Sequence, residues 1–503
     1  MKKILLISII ALLCVSVPLA AGGRTESASA LKTIRVAENV PGLITPGVWD
    51  GQAFTLNSSI YEYLVEVDAQ DNSLKPVLAT DWSTDDGTVW TFHLREGVRF
   101  HDGTPFDAWD VKFTLERTQD SAVGHLKKAD FSVIKAIDVV DDHTVVVTLK
   151  ERRPTFIMQM TDYNMAILSR HYDYTNLGER RPMGTGPFLF SQMVPKENAL
   201  LVRNPDYWDP ALPKVDRLEI YFISDLDAKV AMLEGGQVDV VPLISPVAAQ
   251  RLAGNPDISV IAAYQEQRFI AMAVDRKPFD DNRVRLAFKY TMDPDILARS
   301  VAQTTVGDGF DYSETPILNS LPEFFDQGLR KRDIAKARSL LAEAGYPDGV
   351  SVDLYYASDH PYGKELSQTV AELAAPAGFS INLKGFTRDV YLSQYWLKVG
   401  FSITGWGGRI DPSILLSLAF HSQGPWNEAH LADPVVDSLI DRITGEADEQ
   451  VRTGYYRELQ QRFYQEGALV NIQVPKLVAL SSRITDYRHP LTMIVQYKYA
   501  DID

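Results

Sequence analysis

From Leu31 to Asp503 the sequence interleaves two kinds of apolar patterning, period-two runs and helical-period runs, without a low-complexity linker, short-period repeat or Pro/Ser-rich hinge between them. Interleaving of this kind predicts mixed α/β architecture, with helices packed on sheets, rather than a run of strands followed by a run of helices. At 503 residues the chain exceeds what one ordinary core organises, so two or three domains are expected.

Several elements are readable individually. Trp82 to Arg95 reads as a hairpin, with turn chemistry at Asp85-Asp86-Gly87 and Trp90, Phe92 and Leu94 alternating with polar residues. Ser132 to Lys150 reads as a second hairpin turning at Asp141-Asp142-His143. Asp107 is placed to cap a helix through Val111, Phe113 and Leu115. Asp225 can cap another that stops at Gly235-Gly236, ahead of a buried strand from Val238 to Val241. Asn282 is expected to cap a helix carrying Val284, Ala287 and Phe288. Asp333 starts one with Ile334, Ala337 and Leu341 on one face and Gly345 as its left-handed stop. Strands at Val352 to Tyr355 and Ser380 to Leu383 flank a helix from Lys364 to Ala375, a β-α-β order that predicts a second α/β lobe.

The first thirty residues have the layout of a secretory signal peptide: Lys2-Lys3, an apolar stretch from Ile4 to Leu19, then small residues through Ala28-Ser29-Ala30. The apolar run falls short of the ~20 residues that span a bilayer, and Pro18 interrupts it. The expectation is an extracytoplasmic, periplasmic protein, soluble after cleavage. Cys14, the single cysteine, lies in this segment behind a bulky Leu13, which argues against a lipid anchor there and leaves no thiol for disulfides or cysteine catalysis. The formal net charge of -16, with no run of five Lys or Arg, excludes the basic footprint that nucleic acid requires.

The order of Tyr61-Glu62-Tyr63-Leu64, Lys75-Pro76-Val77-Leu78-Ala79, Trp82-Ser83 and the block from Trp90 to Phe106 is specific. Gly184-Thr185-Gly186-Pro187-Phe188, Asn204 to Trp208, Leu233 to Asp239, Arg283 to Phe288, Ala344-Gly345-Tyr346 and Gly405-Trp406 follow it. This pattern resembles the peptide- and nickel-binding class of ABC-importer solute-binding proteins, family 5, over nearly the whole chain past the leader. The resemblance implies a two-lobed periplasmic-binding-protein fold of the type II kind with mixed sheets. Lobe 1 would span 31–274 plus 476–503, with an extra subdomain at 55–170, and lobe 2 would span 275–475. It implies a monomer that closes on a small-molecule or peptide ligand by hinge motion, serves an importer's permease and ATPase, and carries no cofactor and no catalytic residue.

The segment Gly405-Trp406-Gly407-Gly408-Arg409-Ile410-Asp411-Pro412 departs from the family's pattern. Peptide-binding members place an aspartate three residues after the equivalent tryptophan, where it pairs with the ligand's free amine; this chain has Arg409. A guanidinium cannot accept a hydrogen bond and repels an ammonium. The expected partner of Arg409 is therefore an anionic or polyhydroxylated group, or else Asp411 in an internal ion pair. Trp406 is expected in the cleft or, alternatively, in the core. Trp426 and Asn427 sit in a turn-rich loop that can reach the cleft, and Trp49 and Tyr312 are further candidates from other loops.

Three rival readings have less in the sequence to support them. A secreted hydrolase acting on oligosaccharide or peptide lacks a Gly-x-Ser-x-Gly elbow, a His-Glu-x-x-His helix or a phosphate-cradling loop. A metal or metallophore carrier of the same fold would have to use scattered histidines, of which only His421 and His430 flank the candidate loop. A scaffold or chaperone role has no residue pointing to it.

Overall fold

A computed structural model of the chain describes residues 31–41, 47, 54–174, 181–302, 310–492 and 494–503. The leader, Cys14 and Trp49 lie outside these residues. Among the described residues no helix is long and apolar enough to cross a membrane.

The fold is the mixed α/β, two-lobed type. Its backbone is an 11-stranded sheet organised around two long antiparallel strands, Ile258–Met272 and Leu469–Ser481. On one side of this pair lie Phe401–Trp406, Val350–Ala357 and Phe379–Phe386; on the other lie Val240–Val241, Thr33–Glu38, Arg217–Phe222, Asn198–Arg203 and Phe188–Val194. Pairing is parallel between Val350–Ala357 and Phe379–Phe386 and between Thr33–Glu38 and Arg217–Phe222. It is antiparallel along the central pair, where the register shifts between Ala262 and Gln265. The β-α-β unit predicted from the sequence is present, with helix Gly363–Ala374 connecting its parallel strands.

A separate four-stranded sheet orders Ala79–Thr84, Val89–Leu94, Thr144–Leu149 and Ile134–Asp141. The two predicted hairpins meet here. Trp90, Phe92 and Leu94 turn inward with Val145 and Val147 against Val111 and Leu115 of helix Ala108–Arg117. Each such buried side chain contributes roughly 1.5–3 kcal/mol. Asp107 caps that helix in a reciprocal box with Asp110, and Arg170 ties both carboxylates to the following segment.

Two boundaries differ from the sequence reading. The cap of helix Asn282–Thr291 is Asp281, whose carboxylate accepts from Arg283 N, so the helix begins with Asn282 instead of after it. Only Val240–Val241 of the predicted strand is paired. Just before it, the Asp239 backbone bonds to Arg35 O and Ser481 N while its carboxylate holds the Arg35 and Arg483 guanidiniums.

Candidate functional site

Strand Phe401–Trp406 leaves the sheet at Trp406, and helix Pro412–Ala419 begins six residues later, so residues 407–410 form a short half-buried bridge in which Gly408 is buried. Asp411 ends that bridge as the helix cap. Its Oδ1 accepts from Ser413 N at 2.8 Å and from the Tyr456 hydroxyl at 3.3 Å. Asp411 therefore fixes the loop by capping, and the Arg409–Asp411 pair is not among the ion pairs of the described residues. Arg409 instead donates from Nη1 to the carbonyls of Gly407 and Gly408, at 3.3 and 3.0 Å. Gly408 has no room for a side chain, because a Cβ there would meet Leu491 Cδ1 at 1.9 Å.

Arg409, Ile410 and Ile414 face Met158, Thr161, Asp162 and Tyr163 across a narrow recess, with Thr492 completing the lining. Two polar atoms in this lining are buried without a hydrogen-bond partner: Arg409 Nε and Thr492 Oγ1. Asp162 is anchored by Asn164, which donates its backbone N–H at 2.9 Å, and by Lys127 at 3.5 Å. Burial acts to raise the Asp162 carboxyl, but Lys127 and then Arg409 outweigh it and hold the group below the usual carboxylate range. Lys127, Arg409, Asp130 and Asp162 thus make a cluster of two positive and two negative groups behind the recess.

The other predicted residues divide. Trp406 is buried: its indole Nε1 donates to Glu428 Oε1 at 2.8 Å, and its ring packs on Phe269 and Trp426. Trp426 is half-buried between Trp396 and Trp406. Asn427 closes its own loop, with Nδ2 donating to the carbonyls of His421 and Leu431 and Oδ1 accepting from Leu431 N. Tyr312 lies in strand Asp311–Ser313, paired with Leu469–Ser481 and buried in a core with Phe288 and Ile472. It is not brought to the recess. His421 approaches Asp437 and Asp441, whereas His430 pairs with Asp275. Among the described residues no group of three or more His, Cys, Asp or Glu could hold a metal ion.

Sequence reasoning missed Asp162, Lys127 and Thr492, which carry no local motif and reach the loop only through tertiary packing. It also missed a charged group beside the central strands. Glu38, at the end of strand Thr33–Glu38, accepts from Thr55 N and Oγ1. Burial pushes its carboxyl up to about 7 against the opposing pull of Thr55, Lys229 and Lys476. Burial would raise Glu266 as well, yet Arg268 at 2.7 Å, Lys476 and His360 bring it down to about 2.

A mixed sheet with a polar recess between distant chain segments is the architecture of the two-lobed solute-receptor class. Residues 73–427 match the family "Bacterial extracellular solute-binding proteins, family 5 Middle", and the chain belongs to that family, whose members serve ABC importers. The glutathione-binding protein GsiB of Salmonella paratyphi A is 30% identical over 445 residues, covering 84% of this chain and 85% of that protein. The periplasmic binding protein DppA of Helicobacter pylori, solved with the peptide STSA, superposes with a TM-score of 0.84 at 23% identity, covering 93% of this chain and 98% of that one. AgaA from A.tumefacien R10, solved with agropinic acid, gives a TM-score of 0.84 at 22% identity over 94% of this chain and 99% of that one.

Proposed function

We propose that the protein captures a small solute bearing an anionic group between its lobes and delivers it to the permease and ATPase of an ABC importer, without chemistry of its own. The observation that carries this reading is the Arg409 guanidinium, whose buried Nε lacks an acceptor beside an equally unpartnered Thr492 hydroxyl. A carboxylate entering the recess accepts from both, and such charge-assisted bonds contribute about 1.5–3 kcal/mol each. Glutathione, the ligand named for GsiB, and the opine acid bound by AgaA both carry carboxylates, which supports the same class.

In this reading lobe 1 comprises 31–274 and 476–503 with the subdomain at 55–170, lobe 2 comprises 275–475, and the protein acts as a monomer outside the cytoplasm after its leader is removed. Closure is then stabilised by the solute's contacts with both sides of the recess. Arg409 and Thr492 hold the anionic group; Asp411 fixes the loop that carries Arg409, Trp406 and Trp426 pack behind that loop, and Trp49 remains a candidate beyond the described residues.

Mass spectrometry of small molecules copurifying with the protein, followed by calorimetry on the wild type and Arg409→Asp, tests the reading. An anionic solute whose affinity falls at least about tenfold in the variant is expected. Wild-type binding of free-amine peptides that Arg409→Asp weakens, with no anion bound, overturns it.

A further inference from the structure

We propose that Leu491 and Gly408 form a latch between the two lobes, a side chain seated in a glycine socket that holds the closed form together before any solute arrives. This rests on the lobe division and closure proposed above. It adds that the chain itself, and not the solute alone, stabilises the closed state.

The contact is direct. Gly408 is buried, and a Cβ built on it would stand 1.9 Å from Leu491 Cδ1 and 2.6 Å from Leu491 Cγ. The leucine therefore occupies the space that any other residue at 408 would fill. Leu491 is 7% exposed, so the socket and its surroundings keep it almost wholly out of water. The neighbouring Thr492 lines the recess where Ile410 and the buried Ile414 face Met158, so the same two sides of the molecule meet again past the leucine. Apolar contact of this kind scales with the area removed from water and is lost when the surfaces part.

Each partner is fixed to its own side. The loop that carries Gly408 is held at both ends within 275–475: the Trp406 indole donates to Glu428, and Asp411 accepts from Ser413 N and the Tyr456 hydroxyl. The segment that carries Leu491 is held within lobe 1. Ile494, Val495 and Tyr497 share a core with Ile34, Leu56 and Ile220, and the Ser58 hydroxyl donates to the Val495 carbonyl at 2.9 Å. Neither the leucine nor its socket follows the other when the lobes separate. A contact made in only one of two states shifts the population toward that state. Apparent solute affinity scales with the fraction of protein in the binding-competent state, so loosening the latch weakens binding without altering a residue that meets the solute.

Small-angle scattering on the full protein, freed of copurified solute by dialysis against dilute urea, tests the latch with no ligand present. The wild type is expected to give the compact radius of the structure described above. Gly408→Ala, which fills the socket, and Leu491→Ala, which empties it, are each expected to give a larger radius while the circular-dichroism spectrum is retained. In Gly408→Ala/Leu491→Ala the added methyl takes up space that the shortened side chain vacates, and the radius is expected to return toward that of the wild type. Leu491→Ala introduces no clash, so it carries the test if Gly408→Ala fails to fold. A wild type already as extended as the variants, single variants as compact as the wild type, or a double variant no more compact than the single ones overturns the proposal. The calorimetry on Arg409 decides the solute reading separately, since no solute enters this experiment.

Discussion

Lys498 Nζ reaches both carboxylate oxygens of Glu66 at 2.9 Å, closing a contact across 432 positions of sequence. Both side chains are buried, and Gln496 from the same terminal segment also donates to Glu66 Oε2 and the Val67 carbonyl. The carboxy-terminal segment is thus fastened to the short strand Val65–Val67 by charge as well as by packing.

Lys498→Met removes the cation and leaves Glu66 buried alone. Breaking one side of such a pair costs about 3–5 kcal/mol. Urea unfolding should show the unfolding free energy lowered by that amount and the midpoint lowered by it divided by the m-value, and the double variant Glu66→Gln/Lys498→Met should recover part of the loss.

Glu38 predicts a pH dependence with a definite sign. Its carboxyl titrates near 7 in the folded protein and near 4.3 when unfolded, so between these values the folded form binds more protons. Stability from this group therefore falls as pH rises through that window and levels off above it. Glu38→Gln should remove the slope and stabilise the protein at pH values above the folded pKa by an amount on the order of 3–4 kcal/mol. Melting temperatures of the two proteins from acid to mildly alkaline buffer check both the sign and the window.

Gly184 packs so closely on the preceding layer that a Cβ would stand 2.3 Å from Ile60 O and 2.9 Å from Tyr61 Cα. Both neighbours are backbone and cannot rotate away. Gly184→Ala should cost about 1–3 kcal/mol, the scale of overpacking a tight interior, measured as a shift in denaturant midpoint without a change in slope.

Asp162→Asn tests the balance of charge around Arg409. With the carboxylate gone, Arg409 and Lys127 face the recess with one negative charge fewer. Affinity for an anionic solute should then rise several-fold, about 1 kcal/mol of relieved repulsion near a protein surface. A fall in affinity in calorimetry would mean that Asp162 itself contacts the solute's cationic end.

Local chemistry made much of the fold legible. Aspartates with a helical pattern behind them gave the caps at Asp107, Asp225 and Asp333, and turn residues between β-formers gave both hairpins. Gly345, at φ +94°, ends its helix as its lack of a side chain allows. The partnership of the two long central strands was not legible, because neither strand's pattern names a partner about two hundred residues away. The site divided in the same manner. Arg409 stood out because its charge opposes the family's pattern, whereas Asp162 and Thr492 become relevant only once the chain brings them opposite it. Tyr312 looked like a loop residue because its strand has only three residues, too short for any alternation to show.

The two central strands have one more consequence. The chain leaves the central pair at the end of Ile258–Met272 and returns to it at the start of Leu469–Ser481, and Met272 N donates to Ala468 O at 2.8 Å. Nearly two hundred residues are therefore strung between points one hydrogen bond apart, and they carry four strands of the 11-stranded sheet with them. New termini opened beside that doorway would leave every strand pairing of the sheet intact, as circular permutation requires.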